Sequence, residues 1–97
     1  MRLVLHPDAA REASASADWY EAKRAGYGQR FRETVVAALD GIVASPRAYP
    51  FEPTASGARR MLVRRFPFAI VFYVEDDLIR VVAIHHAARL PGYWHER

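Results

Sequence analysis

Arginine, histidine and aromatic side chains are concentrated in the C-terminal part of the chain, and these residues are the best suited to chemistry. Residues 1–58 hold seven basic and seven acidic side chains, whereas residues 59–97 hold seven basic and four acidic ones. The net charge of +3 therefore lies entirely in the second segment. Arginine accounts for thirteen of the 14 Lys and Arg residues, and its planar fork suits phosphate and carboxylate groups. A preference for arginine codons could explain this total, but it does not explain the clustering.

Three arginines and a histidine pair are the candidates for phosphate or acid–base chemistry. Arg60, Arg64 and Arg65 could stabilise a phosphate, but arginine is a poor general base because its pKa lies above about 12. Either His85 or His86 could supply a base, since histidine titrates near neutrality. A histidine on the buried side of a sheet is instead a hydrogen-bonded core residue, and this is the alternative for His85.

The sequence predicts neither a metal nor a cofactor site. The chain has no cysteine. Its histidines do not show ligand spacing with carboxylates; they are His6, His85, His86 and His95. The segment 26–28, Gly-Tyr-Gly, is interpreted as a turn between helices, because nothing after it resembles a phosphate-binding loop.

Length and composition predict one globular domain over residues 1–97. The chain is 52% hydrophobic and 26% charged, which argues against disorder. Its start lacks the apolar core of a signal peptide, and no run approaches the roughly 18 apolar residues that span a bilayer. The absence of cysteine fits a reducing compartment. We therefore expect a soluble, cytoplasmic protein without membrane association.

Two helices are predicted from apolar or alanine residues that recur every three or four positions. The first runs from Pro7 to about Arg24 and the second from Tyr27 to Ala44, with Gly26 as a left-handed turn between them. The predicted core positions are Ala9, Ala13, Ala17 and Tyr20 in the first helix and Phe31, Val35, Ala38, Leu39 and Ile42 in the second. Trp19 is also expected in the core or between the helices.

Four strands complete the predicted fold. They cover residues 2–5, 59–65, 68–74 and 78–84, with a loop at 46–58, a turn at 75–77 and a tail from 85 to 97. The order β-α-α-β-β-β predicts an α+β fold, in which an antiparallel helical hairpin packs on one face of a mostly antiparallel sheet. The other face of this sheet is then expected to be solvated, functional or covered by a partner.

Structural roles compete with functional ones for several candidates. Arg60 could end a strand in solvent. Arg64 and Arg65 could pair with the acidic turn at 75–77 across a hairpin. Tyr93 and Trp94 could pack the tail onto the helices.

Five segments in their order along the chain resemble the RelE/ParE toxin family. They are WYE at Trp19–Glu21, YGQRF at Tyr27–Phe31, SP at Ser45–Pro46, RRFPFAIVFYV at Arg64–Val74 and VVAIHHAARLPGYW at Val81–Trp94. The resemblance implies the toxin of a type II toxin–antitoxin system of the plasmid-stabilisation kind, a cytoplasmic growth inhibitor. A cognate antitoxin that wraps the toxin in a hetero-oligomer would hold it inactive.

Two activities share this fold, so the fold alone does not choose between them. RelE-like members cut messenger RNA on the ribosome without a metal, whereas ParE-like members block DNA gyrase. The resemblance assigns nuclease roles, if the protein is an enzyme, to Arg64, Arg65, Arg89 and Tyr93. His86 is a further candidate in that case, as a replacement for the missing base. The resemblance assigns contacts with the target or the antitoxin to Arg60, Arg89, Tyr93 and Trp94.

The sequence departs from the nuclease pattern, because the strand lysines are absent and alanines occupy 87 and 88, where nucleases tend to carry charges. We therefore favour a ParE-like gyrase inhibitor. The alternatives are a RelE-like endoribonuclease, a relative that binds an antitoxin without being toxic, and a generic nucleic-acid-binding module.

Overall fold

The computed structural model describes residues 1–87 and 92–97 of the chain. The helices are α1 (Pro7–Lys23) and α2 (Tyr27–Ala44), followed by a single 3-10 turn at Pro46–Ala48. The strands are β1 (Arg2–Leu5), β2 (Arg59–Val63), β3 (Phe68–Glu75) and β4 (Leu78–His86). The predicted β-α-α-β-β-β order is confirmed, and β4 runs two residues further than the sequence indicated.

The four strands form one mixed sheet in the order β1-β4-β3-β2. Strands β2, β3 and β4 are antiparallel neighbours, and β1 runs parallel to β4 at the edge. A parallel neighbour requires a long crossover, which the α1–α2 hairpin and the later strands provide. The sheet places the end of β2, the start of β3 and the end of β4 side by side, because Val63 pairs with Phe68 and Phe68 pairs with His86.

Local chemistry explains how the helical hairpin forms. The His6 side chain accepts a hydrogen bond from the Asp8 amide at 3.0 Å and caps α1. Gly26 adopts φ +90°, which favours glycine, and turns the chain into α2. The Glu21 carboxylate accepts hydrogen bonds from the Gly26 and Gly28 amides, so it satisfies donors at the start of α2. A Cβ at Gly28 would lie only 2.7 Å from the Ala17 carbonyl oxygen, so the helices cross at this glycine.

The main hydrophobic core lies between the helices and one face of the sheet. Its fully buried members include Phe31, Ile42, Ile70, Phe72 and Ile84. Both predicted helical faces point into this core. The prediction for Trp19 is wrong, because this indole is 58% exposed. In that turn of α1, the Tyr20 side chain packs against the core. Adjacent residues of a helix point in different directions, so the Trp19 side chain faces solvent.

The opposite face of the sheet carries a second, smaller core, so the expectation of an uncovered face is wrong. Val71, Val82 and Ala83 are fully buried there. The chain itself covers them, through Ala55 and Ala58 in the loop before β2 and Trp94 in the C-terminal tail. These strands are apolar on both faces, and burial of both faces lowers the free energy of the folded chain.

The suggested pairing of Arg64 and Arg65 with the acidic turn at 75–77 does not form. The two arginines precede β3 and the acidic turn follows it, so the eight residues of the strand separate them. Glu75 instead pairs with Arg80 at 2.9 Å, across the β3–β4 hairpin.

Candidate functional site

The sheet separates the site residues that the sequence predicted. Arg60, His85 and Trp94 line a cavity on the face away from the helices. His86 faces the helical side, where its ring lies 5.7 Å from that of Phe68. Arg65 also lies on the helical side, beside Tyr20 and Tyr27.

The cavity on the face away from the helices is the candidate site that brings Arg60, His85 and Trp94 together. It has a volume of about 240 Å³. The loop before β2, each of the strands β2, β3 and β4, the residue after β4 and the tail contribute to it. Its lining residues are Glu52, Pro53, Thr54, Arg60, Leu62, Ala69, His85, Ala87 and Trp94.

Glu52 is the functional candidate that sequence reasoning missed. It is 6% exposed, and one carboxylate oxygen accepts hydrogen bonds from the Thr54 amide at 3.2 Å and the Thr54 hydroxyl at 3.0 Å. The other oxygen lies 3.9 Å from an Arg60 guanidinium nitrogen. Buried carboxylates are rare unless they are paired, and Thr54 and Arg60 hold this one in the wall of the cavity. One feature of the sequence could have identified it: Glu52 is the only acidic residue in the segment 46–58.

His85 joins the strand end to the tail. Its ring stacks on the Trp94 indole, with centroids 5.3 Å apart and planes inclined by 23°. The Nδ1 atom lies 2.7 Å from the His86 carbonyl oxygen, and a carbonyl can only accept, so Nδ1 donates. In a neutral ring, Nε2 is then the nitrogen that can accept a proton. His85 is 7% exposed, as the alternative of a buried, hydrogen-bonded histidine anticipated.

Two buried nitrogen donors border this cavity without a hydrogen-bond partner in the described part of the chain. They are Trp94 Nε1 and Arg60 Nε. Trp94 is 1% exposed, so its indole both fills the second core and forms a wall of the cavity. An unsatisfied buried donor costs about 1–3 kcal/mol, which a bound acceptor would relieve.

Tyr93 packs its ring against His85, with centroids 5.5 Å apart, and anchors the tail to α1 through its hydroxyl. Its hydroxyl donates to Oε2 of Glu12. The other Glu12 oxygen accepts from the Ile84 amide at 3.1 Å and from Arg97 at 2.9 Å. The Arg97 guanidinium also lies 5.0 Å from the centre of the Tyr93 ring. Glu12 thus connects α1, the end of β4 and the tail.

Of the other predicted residues, Arg64 and Arg65 are not among those that line the cavity. Arg64 and Arg65 are exposed on the turn between β2 and β3. Arg89 lies outside the described residues. Within residues 1–87 and 92–97, no group of three His, Cys, Asp or Glu side chains could hold a metal ion. In the same ranges, no helix combines the length and hydropathy needed to cross a membrane.

Comparisons with known proteins identify the fold. No protein-family model and no curated protein matches the sequence. Among solved structures, a chain of the chromosomal ParDE toxin–antitoxin system from P. aeruginosa superposes with a TM-score of 0.70 and 19% identity, over 89% of this chain and 95% of that one. The isolated E. coli RelE toxin superposes with a TM-score of 0.63 and 19% identity, over 97% of this chain and 92% of that one. The chain therefore has the RelE/ParE fold.

Proposed function

We propose that this protein is the toxin of a type II toxin–antitoxin system. Of the two solved structures described above, one is named as a toxin–antitoxin system and the other as a toxin, and each is covered over more than nine-tenths of its length. The family-like segments of the sequence fall on the elements that define this fold, including the α2 start and the β3–β4 hairpin. As such a toxin, the protein would act in the cytoplasm as a growth inhibitor that stabilises its plasmid or locus.

The partner that follows from this role is a cognate antitoxin, bound in a toxin–antitoxin hetero-oligomer. A chain with net charge +3 suits an acidic, partly disordered antitoxin that folds on binding. We expect the protein alone to be toxic or poorly soluble on expression, and co-expression of the neighbouring gene to relieve both effects.

For the cellular target we propose DNA gyrase, as in ParE-like toxins. One observation carries this choice: the predicted phosphate ligands and bases are divided between the two faces of the sheet. Arg65 and His86 lie on the helical side, whereas Arg60 and His85 lie on the other face. Metal-free cleavage of RNA needs a base, a phosphate-stabilising charge and an acid around one phosphate. A protein–protein inhibitor needs no such arrangement.

A RelE-like endoribonuclease is the second candidate, and the buried Glu52 favours it. Glu52, Arg60 and His85 line one cavity and could supply a base, a phosphate ligand and an acid there. Under this alternative, Arg60→Ala and Glu52→Gln should each abolish cleavage. Cleavage retained in both variants would remove this cavity from consideration as a nuclease site.

Induced expression of the chain alone, with two readouts, tests the proposal. Growth arrest with intact transcripts by primer extension, and loss of supercoiling by purified gyrase, would support gyrase as the target. Arrest with transcript cuts in phase with codons, and normal supercoiling, would support the endoribonuclease. Normal growth and good yield without the neighbouring gene would contradict both and indicate a relative that binds its antitoxin without toxicity.

A further inference from the structure

Five cationic side chains gather at the end of the molecule where α1 turns into α2 and β2 turns into β3. We call this surface the basic end; it consists of Lys23, Arg24, Arg30, Arg64 and Arg65. All five residues are exposed. In the described part of the chain, none of the five lies within 4.0 Å of a carboxylate oxygen. Unpaired like charges repel one another, so this concentration destabilises the folded protein. A bound anion would relieve that repulsion.

The aromatic ring of Tyr27 organises part of this surface. The Arg24 guanidinium lies over it at 5.0 Å from the ring centre, and the Arg30 guanidinium lies over it at 5.9 Å. Arg24 also donates to the Tyr27 hydroxyl at 3.4 Å. Cation–π contacts of this kind restrict the two guanidinium groups, so less entropy is lost when they bind an anion.

Arg65 reaches the same place from the sheet. Together with Arg30 and Tyr27 it lines a shallow cavity of about 140 Å³ between the helical hairpin and the β2–β3 turn. Phe66, which is 4% exposed, anchors that turn in the core and holds the neighbouring arginines at the surface.

The nearby carboxylates are already engaged. Glu21 accepts from the Gly26 and Gly28 amides, and Asp18 lies 3.7 Å from Arg32. The main acidic run, at 75–77, lies at the far end of β3, about 25 Å away at the usual rise per strand residue. The acidic run is therefore too distant to neutralise the basic end, and such a concentration of positive charge orients the molecule toward a polyanion.

We infer that the basic end binds the phosphate backbone of duplex DNA. Guanidinium groups form paired hydrogen bonds with phosphate oxygens, and the interaction needs no base contact. Because two cations occupy the Tyr27 ring, that ring holds guanidinium groups and does not stack on unpaired bases, which favours a duplex over a single strand. The choice of DNA rests on the proposed function, since a gyrase inhibitor acts beside the DNA that gyrase holds.

The test measures fluorescence anisotropy of a labelled DNA duplex of about two helical turns, titrated with the full chain at several salt concentrations. The variant Arg30→Glu/Arg65→Glu removes two cations of the basic end. The variant Arg2→Glu/Arg47→Glu is the matched control, because it changes net charge equally at exposed positions outside the basic end. Circular dichroism melts check that both variants are folded.

We expect the Arg30/Arg65 variant to bind at least about tenfold more weakly and to lower the salt slope by about 2, whereas the control should change affinity by less than about threefold. Equal losses in both variants would overturn the inference, because net charge alone would then explain binding. Displacement of the DNA by poly-glutamate at equal charge concentration would overturn it in favour of an acidic protein partner. Tighter binding to duplex RNA would overturn the choice of DNA.

This assay contains no gyrase, so its outcome is separate from that of the proposed function. A protein that binds DNA through the basic end but leaves supercoiling unaffected would refute gyrase inhibition alone. A protein that abolishes supercoiling without binding DNA would refute the inference drawn from the basic end alone.

Discussion

The Tyr93 hydroxyl donates a hydrogen bond to the carboxylate of Glu12, a residue 81 positions earlier in the chain. The same carboxylate accepts from the Ile84 amide and from Arg97. Strand β1 pairs with β4 only as far as Val81, so the Ile84 amide lies on an edge that no strand covers on that side. Glu12 therefore accepts the hydrogen bond of an amide at the sheet edge and also binds two residues of the tail.

Glu12→Ala should lower the free energy of unfolding by about 2–3 kcal/mol, because it removes the acceptor of the Ile84 amide and one of the acceptors of the Arg97 guanidinium. Urea denaturation followed by circular dichroism measures this. Glu33→Ala, at an exposed position of α2, is the control and should change stability by less than about 0.5 kcal/mol. Equal effects of the two substitutions would show that Glu12 does not hold the tail.

Tyr93→Phe should cost about 1.5 kcal/mol of stability, since it removes one hydrogen bond to a charged acceptor and keeps the ring under Arg97. Under gyrase inhibition, this variant should still arrest growth when it is induced at a temperature where it is folded. A folded Tyr93→Phe protein that has lost all toxicity would indicate that the hydroxyl takes part in function.

The two tryptophans should respond oppositely to truncation. Trp94→Ala removes a side chain that is 1% exposed and should destabilise the protein by about 3–5 kcal/mol. Trp19→Ala removes one that is 58% exposed and should cost less than about 1 kcal/mol. Chemical denaturation of each variant, monitored by the fluorescence of the remaining tryptophan, gives both values. A larger loss for Trp19→Ala would contradict the assignment of the second core.

Gly28→Ala should destabilise the protein by about 2 kcal/mol, although alanine favours a helix over glycine by about 1 kcal/mol. The added Cβ would lie 2.7 Å from the Ala17 carbonyl oxygen and 2.9 Å from Glu21 Cβ, so the helices must separate. Gly41→Ala on the same helix is the control, because its nearest neighbour is the end of the Tyr49 side chain at 3.1 Å. Thermal melts should show a lower Tm for Gly28→Ala and an unchanged or higher Tm for Gly41→Ala.

The helices, the strands and their order along the chain could be predicted because they depend on short-range patterns. The bounds of α2, Tyr27–Ala44, follow from an apolar stripe that ends before a proline, and Phe68–Glu75 follows from a dense run of aromatic and β-branched residues. Such patterns act within a few residues, so they are visible without knowledge of the tertiary structure.

Tertiary structure decided which of the two tryptophans is buried and which residues meet in the cavity. Trp19 lies beside a tyrosine that takes the inward position, and Trp94 is buried only because the tail folds over the second face of the sheet. Glu52 was not identified as a site residue, because its burial depends on β2 and the tail closing around the loop. The sequence by itself determined the elements and the excess of basic charge in the C-terminal segment. Contacts between residues far apart in the chain decided the assembly of the sites, because they depend on how the completed elements pack.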